Sequence, residues 1–219
     1  GAWMNDMPLL TMNRRFALTA MAAAGVLGTL PAAAAELPRD TSATARQLVR
    51  WATETGDHQG LPFAVIDKPA ARIHVFSAQG QWLSSAPVLL GAALGDRSAP
   101  DIGQRPLSQI RPEERTTPAG RFVTEPGRNL RGDDIVWIDY ESAVSLHRVR
   151  SVHAAERRQQ RLASRGVSDK RISYGCVNAP EAFYNQFIAP VFGQARGVVY
   201  VLPDTEPFAA FFIAASAYP

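Results

Sequence analysis

The chain carries one cysteine, Cys176, inside the stretch Ser173-Tyr174-Gly175-Cys176-Val177-Asn178. A thiol in such a setting has the chemistry of a nucleophile. Gly175 beside it lets the backbone turn sharply and lets a substrate come close. An amphipathic segment begins near Pro180, and a helix N-terminus a few residues past the sulfur would stabilise thiolate. Backbone N–H groups in the turn, around Gly175, could hold the oxyanion of a tetrahedral intermediate. The flanking residues Ser173, Tyr174 and Asn178, with Arg171 just upstream, are candidate substrate contacts. A single cysteine makes no internal disulfide, so the thiol is either a small buried hydrophobe or a reactive group.

A thiolate nucleophile needs a base within reach, and the sequence offers four histidines. His58 lies in a polar turn and reads as a surface residue. His74 sits between Ile73 and Val75 in a strand-like run and is expected to face solvent. His147 ends the apolar run Ala143-Val144-Ser145-Leu146, and a strand end is a rigid platform for catalysis. His153 follows in a loop. His147 is therefore preferred as general acid and base, with His153 as runner-up. His147, His153 and Cys176 could also supply three zinc ligands. Neither a C-x-x-C nor an H-E-x-x-H spacing is present, so no metal is expected.

The elements that must position these residues are mostly short strands. Sixteen Pro and sixteen Gly in 219 residues favour turns and strands over a helix bundle. Residues 63–67 and 73–77 read as a hairpin across Lys68-Pro69, and residues 82–94 hold another strand. Residues 121–125, 135–140 and 143–146 follow as strands, and 197–202 is a continuous apolar strand of central type. Residues 98–118 form a long loop rich in Pro, Arg and Asp. Three segments read as helices: 44–55, 154–165 and 180–192. The second is charged, with little apolar face. It reads as a solvated surface helix or, more sharply, as a lid facing substrate or an anionic polymer. The third turns Phe183, Phe187, Ile188 and Val191 inward. Residues 208–215 are a small apolar tail, either docked or presented as a patch.

The first 35 residues read as a leader. Asn13-Arg14-Arg15 is a basic start, residues 16–30 are apolar and small, and Ala32 to Ala35 suit a cleavage site after Ala35. The division expected is a leader at 1–35, a helical extension at 36–60, a catalytic domain at 61–203 and an apolar tail at 204–219. A net charge of +3 from scattered basic residues gives no case for nucleic acid. After leader removal no membrane contact is expected, and the molecule is read as a monomer.

Ser173-Tyr174-Gly175-Cys176-Val177-Asn178 resembles the signature of L,D-transpeptidases of the YkuD type. Thr117-Pro118-Ala119-Gly120-Arg121-Phe122 resembles that family's Thr-Pro-x-Gly-x-Phe turn, and His147 after an apolar strand resembles its histidine. Asp67-Lys68 with Arg72-Ile73-His74-Val75-Phe76 resembles its opening strands. The resemblance covers residues 62–203. It implies a mainly β fold, a sandwich or barrel with a few short helices. It implies an exported enzyme of the periplasm or cell envelope acting on peptidoglycan stem peptides. D-alanine would leave a stem tetrapeptide, Cys176 would carry the acyl group as a thioester, and an amine would accept it. An L,D-carboxypeptidase or endopeptidase, or a non-catalytic wall-binding module, is the alternative. The backbone carbonyl of Arg148 would orient His147, and no cofactor would be needed. The sequence departs from the family in having Arg148 after the histidine, Tyr174 before the motif glycine, and a charged insertion over about residues 151–170. That insertion stretches the His147-to-Cys176 spacing to 29 positions.

Overall fold

The computed structural model describes residues 36–219. The leader expected at residues 1–35 lies outside the described residues. Helix α1 (Ala43–Thr55) starts where Ser42 accepts the Ala45 amide on its side chain and ties the helix to β1 through Asp67, 2.6 Å away. It is followed by β1 (Phe63–Asp67), β2 (Arg72–Phe76), β3 (Trp82–Pro87) and β4 (Leu90–Gly91). Then come β5 (Gly120–Val123), β6 (Glu125–Arg128), β7 (Asp134–Asp139) and β8 (Val144–Arg148). A short α2 (Arg158–Ala163) precedes β9 (Arg171–Ser173) and β10 (Val177–Ala179). The chain closes with α3 (Glu181–Phe183), a π turn (Tyr184–Ile188), α4 (Ala189–Phe192), β11 (Val198–Val201), α5 (Phe208–Phe211) and α6 (Ile213–Ser216).

The fold is mainly β with several short helices. One sheet runs β3-β2-β1-β11-β5, with β1 and β11 parallel, and a second runs β10-β8-β7-β6, with β10 and β8 parallel. A small third sheet pairs β4 with β9. Both large sheets stay open, and no closed barrel forms among the described residues. The chain crosses from one large sheet to the other at the buried Thr124, between β5 and β6.

Alternation within the strands decides what each sheet buries. Ala64, Ile66, Ile73, Val75, Val199 and Val201 of the first sheet meet Val136, Val144, Leu146 and Val177 of the second in one core. The far face of the first sheet is also covered. Phe63, Val65, Phe76 and Tyr200 pack under Ala45, Leu48 and Ala52 of α1 and under Phe212 and Ala215 of the tail. This explains the unbroken apolar runs of β1 and β11. It also corrects two histidines. His74 is buried, because its face of β2 lies beneath α1, and its Nδ1 meets Ser85 Oγ at 2.5 Å. His58 is buried too, bonded to the Leu61 carbonyl and set against the Phe63 ring. The tail docks as two short helices, with Gln47 donating to the Ala215 carbonyl.

Two expected helices come out differently. Residues 154–165 do not form one helix. Arg157 takes a left-handed conformation (φ 51°) and divides a single 3-10 turn at Ala154–Glu156 from α2. The helix expected at 180–192 carries a π turn. Pro190 has no N–H to continue the regular ladder, and the Ala189 amide reaches back five residues to the Tyr184 carbonyl. The long loop at 98–118 contains three single 3-10 turns.

A buried ion cluster pins the loops to this frame. Lys68 Nζ lies 2.9 Å from Asp96 and 3.3 Å from Asp204 and donates to the carbonyls of Gly95 and Thr117. Burial pushes the Asp96 carboxyl up. Lys68 and the amides of Glu206, Asp204 and Thr205 outweigh that and hold it well below the usual carboxylate range. Asp96 therefore stabilises the fold above a pH of about 4, and that contribution fades as the pH drops. Replacing Lys68 by Met leaves the buried Asp96 carboxylate without its cation and Asp204 with Arg171 alone. The expected loss is about 3–5 kcal/mol, measured by urea unfolding at neutral pH. A loss below about 1 kcal/mol would refute the role given to this cluster.

Candidate active site

The outer face of the second sheet is the one left open, and it carries the polar chemistry. In β8, Val144 and Leu146 point to the core while Ser145 and His147 point outward. The parallel register sets Val177 opposite Leu146 and Asn178 opposite His147, which brings Cys176 beside Ser145. Cys176 Sγ accepts the Ser145 amide at 3.4 Å and lies 3.5 Å from its hydroxyl. The sulfur is partly exposed at the junction of two cavities of about 470 and 150 Å³. His147 and Arg158 line the larger, and Tyr174 and Thr116 the smaller.

His147 Nδ1 lies 2.7 Å from the carbonyl oxygen of Arg148. A carbonyl only accepts, so Nδ1 carries the proton and Nε2 is left for the sulfur. Burial lowers the His147 pKa, but hydrogen bonding and charge from Cys176 outweigh it and raise it. Burial raises the Cys176 thiol in turn, and His147 followed by the two Ser145 donors brings it below its ordinary value. Both shifts favour a thiolate–imidazolium pair.

The helix N-terminus plays no part in this. The three residues of β10 separate the thiol from α3 by about 10 Å of extended chain. The sulfur's hydrogen-bond partners are instead the Ser145 amide and hydroxyl and the Ala143 carbonyl, with His147 lining the same cavity. Ser145 escaped the sequence reading, although its place two residues before His147 on an alternating strand puts it on the same face.

The nucleophile loop is held from behind. Thr117 is fully buried; its hydroxyl donates to the Gly175 carbonyl at 2.7 Å and accepts the Gly91 amide at 3.0 Å. Gly175 has φ 140°, and a Cβ there would stand 2.7 Å from the Thr116 carbonyl oxygen. Its amide donates to Ser173 Oγ, so Gly175 shapes the turn without offering that N–H to an oxyanion. Among the described residues the amides of Tyr174 and Cys176 meet no acceptor, which leaves them for that task.

The other residues singled out in the sequence have different places. Ser173 is buried and donates to the Cys176 carbonyl, so it braces the turn. Asn178 is buried, donates to the same carbonyl, and accepts Arg158 Nη1 at 2.7 Å. Arg171 lies outside both cavities, with its guanidinium forked onto Asp204 in the ion cluster. Tyr174 is exposed under the Arg115 guanidinium, which stands 4.4 Å from its ring centroid. The Arg148 side chain pairs with Asp134 and stacks over Tyr184. His153 is exposed and lines neither cavity. No group of three His, Cys, Asp or Glu side chains suited to a metal occurs among the described residues.

No family model and no curated protein matches this sequence. Solved structures do match it, at low identity. The helical cell shape determining protein Pgp2 from Campylobacter jejuni is 12% identical over 72% of this chain and 55% of its own, with a TM-score of 0.43. An L,D-transpeptidase from Mycobacterium smegmatis is 16% identical over 64% and 58%, with a TM-score of 0.34. The catalytic domain of the E. faecium L,D-transpeptidase is 18% identical over 64% and 96%, with a TM-score of 0.35. The chain thus spans little more than half the length of the first two.

Replacing Ser145 by Ala removes one donor to the sulfur while leaving the backbone amide. A hydrogen bond to a charged group contributes about 1.5–3 kcal/mol, so the thiol pKa should rise by about 1–2 units. The pH dependence of Cys176 alkylation by iodoacetamide measures this, and an unchanged midpoint would remove Ser145 from the site.

Proposed function

We propose that the protein is an L,D-transpeptidase that takes an acyl group from a peptidoglycan stem tetrapeptide onto Cys176 and passes it to an amine. One observation carries this reading: a partly exposed thiol, bonded to Ser145, lines the same cavity as an imidazole fixed on the Arg148 carbonyl. Such a pair is an activated nucleophile with its own proton store. The sequence motifs around Cys176, His147 and Thr117 supply the substrate class.

In this reading the thiolate attacks the carbonyl carbon of the third stem residue. The new oxyanion is met by the amides of Tyr174 and Cys176. Collapse of the intermediate breaks the carbon–nitrogen bond, and the His147 imidazolium gives its proton to the leaving D-alanine amine. The thioester persists until an acceptor amine attacks it. Neutral His147 takes the proton that amine sheds, and the thiolate leaves to complete the cycle. The two cavities meeting at the sulfur give donor and acceptor separate approaches. In this reading the enzyme works in the periplasm or cell envelope, and residues 61–203 are its catalytic domain.

Purified protein should release D-alanine from a tetrapeptide stem and, with an amine acceptor, yield a joined product. Cys176→Ala should abolish both, and His147→Gln should slow acylation by about 100-fold or more. Free tripeptide alone, with and without acceptor, would reassign the enzyme as an L,D-carboxypeptidase. No acylation at all would leave a wall-binding module.

The rate should follow a bell-shaped pH profile. Thiolate forms as the pH rises through the lowered cysteine pKa, and imidazolium is lost as it rises through the raised histidine pKa. Stopped-flow acylation across pH tests this, and a rate that keeps climbing into alkali would contradict the ion pair.

A further inference from the structure

Arg158 opens α2 within the charged segment that separates His147 from Cys176 in sequence. Its guanidinium enters the cavity shared by those two residues, with its side chain 15% exposed. Two anchors fix the plane of the fork. Nε donates to Glu156 at 2.6 Å, and Nη1 donates to Asn178 Oδ1 at 2.7 Å. Asn178 in turn holds the Cys176 carbonyl and stands opposite His147 in the strand register. The guanidinium is thereby set at a fixed place relative to the thiol. Among the described residues its Nη2 has no hydrogen-bond partner, which leaves two N–H donors for a ligand.

A cation in this position works against the chemistry unless something offsets it, because its charge disfavours the imidazolium of His147. Glu156 offsets part of that charge. The other charged groups at the cavity are Arg131, Arg150 and Asp133, and Arg150 already pairs with Asp133 at 3.1 Å. The cavity is left short of negative charge. A planar guanidinium with free donors is suited to a carboxylate, and a carboxylate bound there would also relieve the opposition to the imidazolium.

We propose that Arg158 is a specificity-determining residue that binds a free carboxylate of the donor stem peptide through Nη2. This rests on the reading of Cys176 as an acyl-transfer nucleophile. Its selectivity is for stems whose carboxylates are not amidated.

The test compares kcat/KM for three synthetic stem tetrapeptides: one with all carboxylates free, one amidated at the terminal D-alanine, and one amidated at the side-chain carboxylate of the third residue. The native protein should lose at least 10-fold on one of the amidated peptides, and which one identifies the carboxylate held. In Arg158→Gln that ratio should fall toward one. In Arg158→Lys, which keeps the charge but loses the fork, it should be intermediate. Circular dichroism and the rate of Cys176 alkylation by neutral iodoacetamide report whether each variant keeps its fold and nucleophile. The lysine variant carries the comparison if the glutamine variant does not fold. Equal turnover of all three peptides by the native protein overturns the inference and leaves the acyl-transfer reading standing, as does undiminished discrimination in a folded Arg158 variant. Failure to turn over any peptide sinks both.

Discussion

Lys68 holds an ammonium where water does not reach, and an isolated charge in that position would cost several kcal/mol. It is tolerated because four oxygens from three stretches of chain converge on it: the Gly95 carbonyl and Asp96 carboxylate, the Thr117 carbonyl, and Asp204. That requirement fixes the loops against one another. Thr117 passes the constraint on, since its carbonyl serves the ammonium while its hydroxyl serves the Gly175 carbonyl. The sulfur is therefore two short links from a fully desolvated charge. A flexible surface loop would offer a nucleophile no such definition.

The division of labour between the sheets follows from coverage. The central strands of the first sheet, β1, β2 and β11, are buried on both faces and work as scaffold. The second sheet is buried on one face only, and its open face collects Ser145, His147 and the start of β10. Polar side chains there need not be paired within a core, so the face can hold groups whose partners arrive with substrate.

Much of this was legible in the residues. The apolar run ending at His147 dictates a strand whose alternation turns the imidazole outward, and Gly175 before Cys176 marks a turn that a side chain would block. The positions of β1, β2, β7, β8 and β11 followed from β-branched runs between turn residues, whereas the short strands β6, β9 and β10 were not foreseen. What was not legible depended on partners far away in sequence. His74 looks solvent-facing until α1 and the tail cover its face of the sheet. Arg171 reads as a free cation until Asp204 is folded beside it. Ser173 looks like a substrate contact, yet its hydroxyl is consumed inside its own turn. The charged segment at 154–165 gave no local sign that Arg157 would break it.

In the proposed acyl-transfer reading, the partly exposed sulfur has a chemical liability that follows from its activation. Thiolate character invites oxidation to sulfenic acid as readily as it invites an acyl carbon. The 219 residues contain no second cysteine to close the sulfenate into a reversible disulfide. Recovery must come from a thiol outside the chain, and further oxygen addition would silence the protein permanently. In that reading the working lifetime of the protein depends on how quickly an external reductant can reach the sulfur through the two cavities that meet at it.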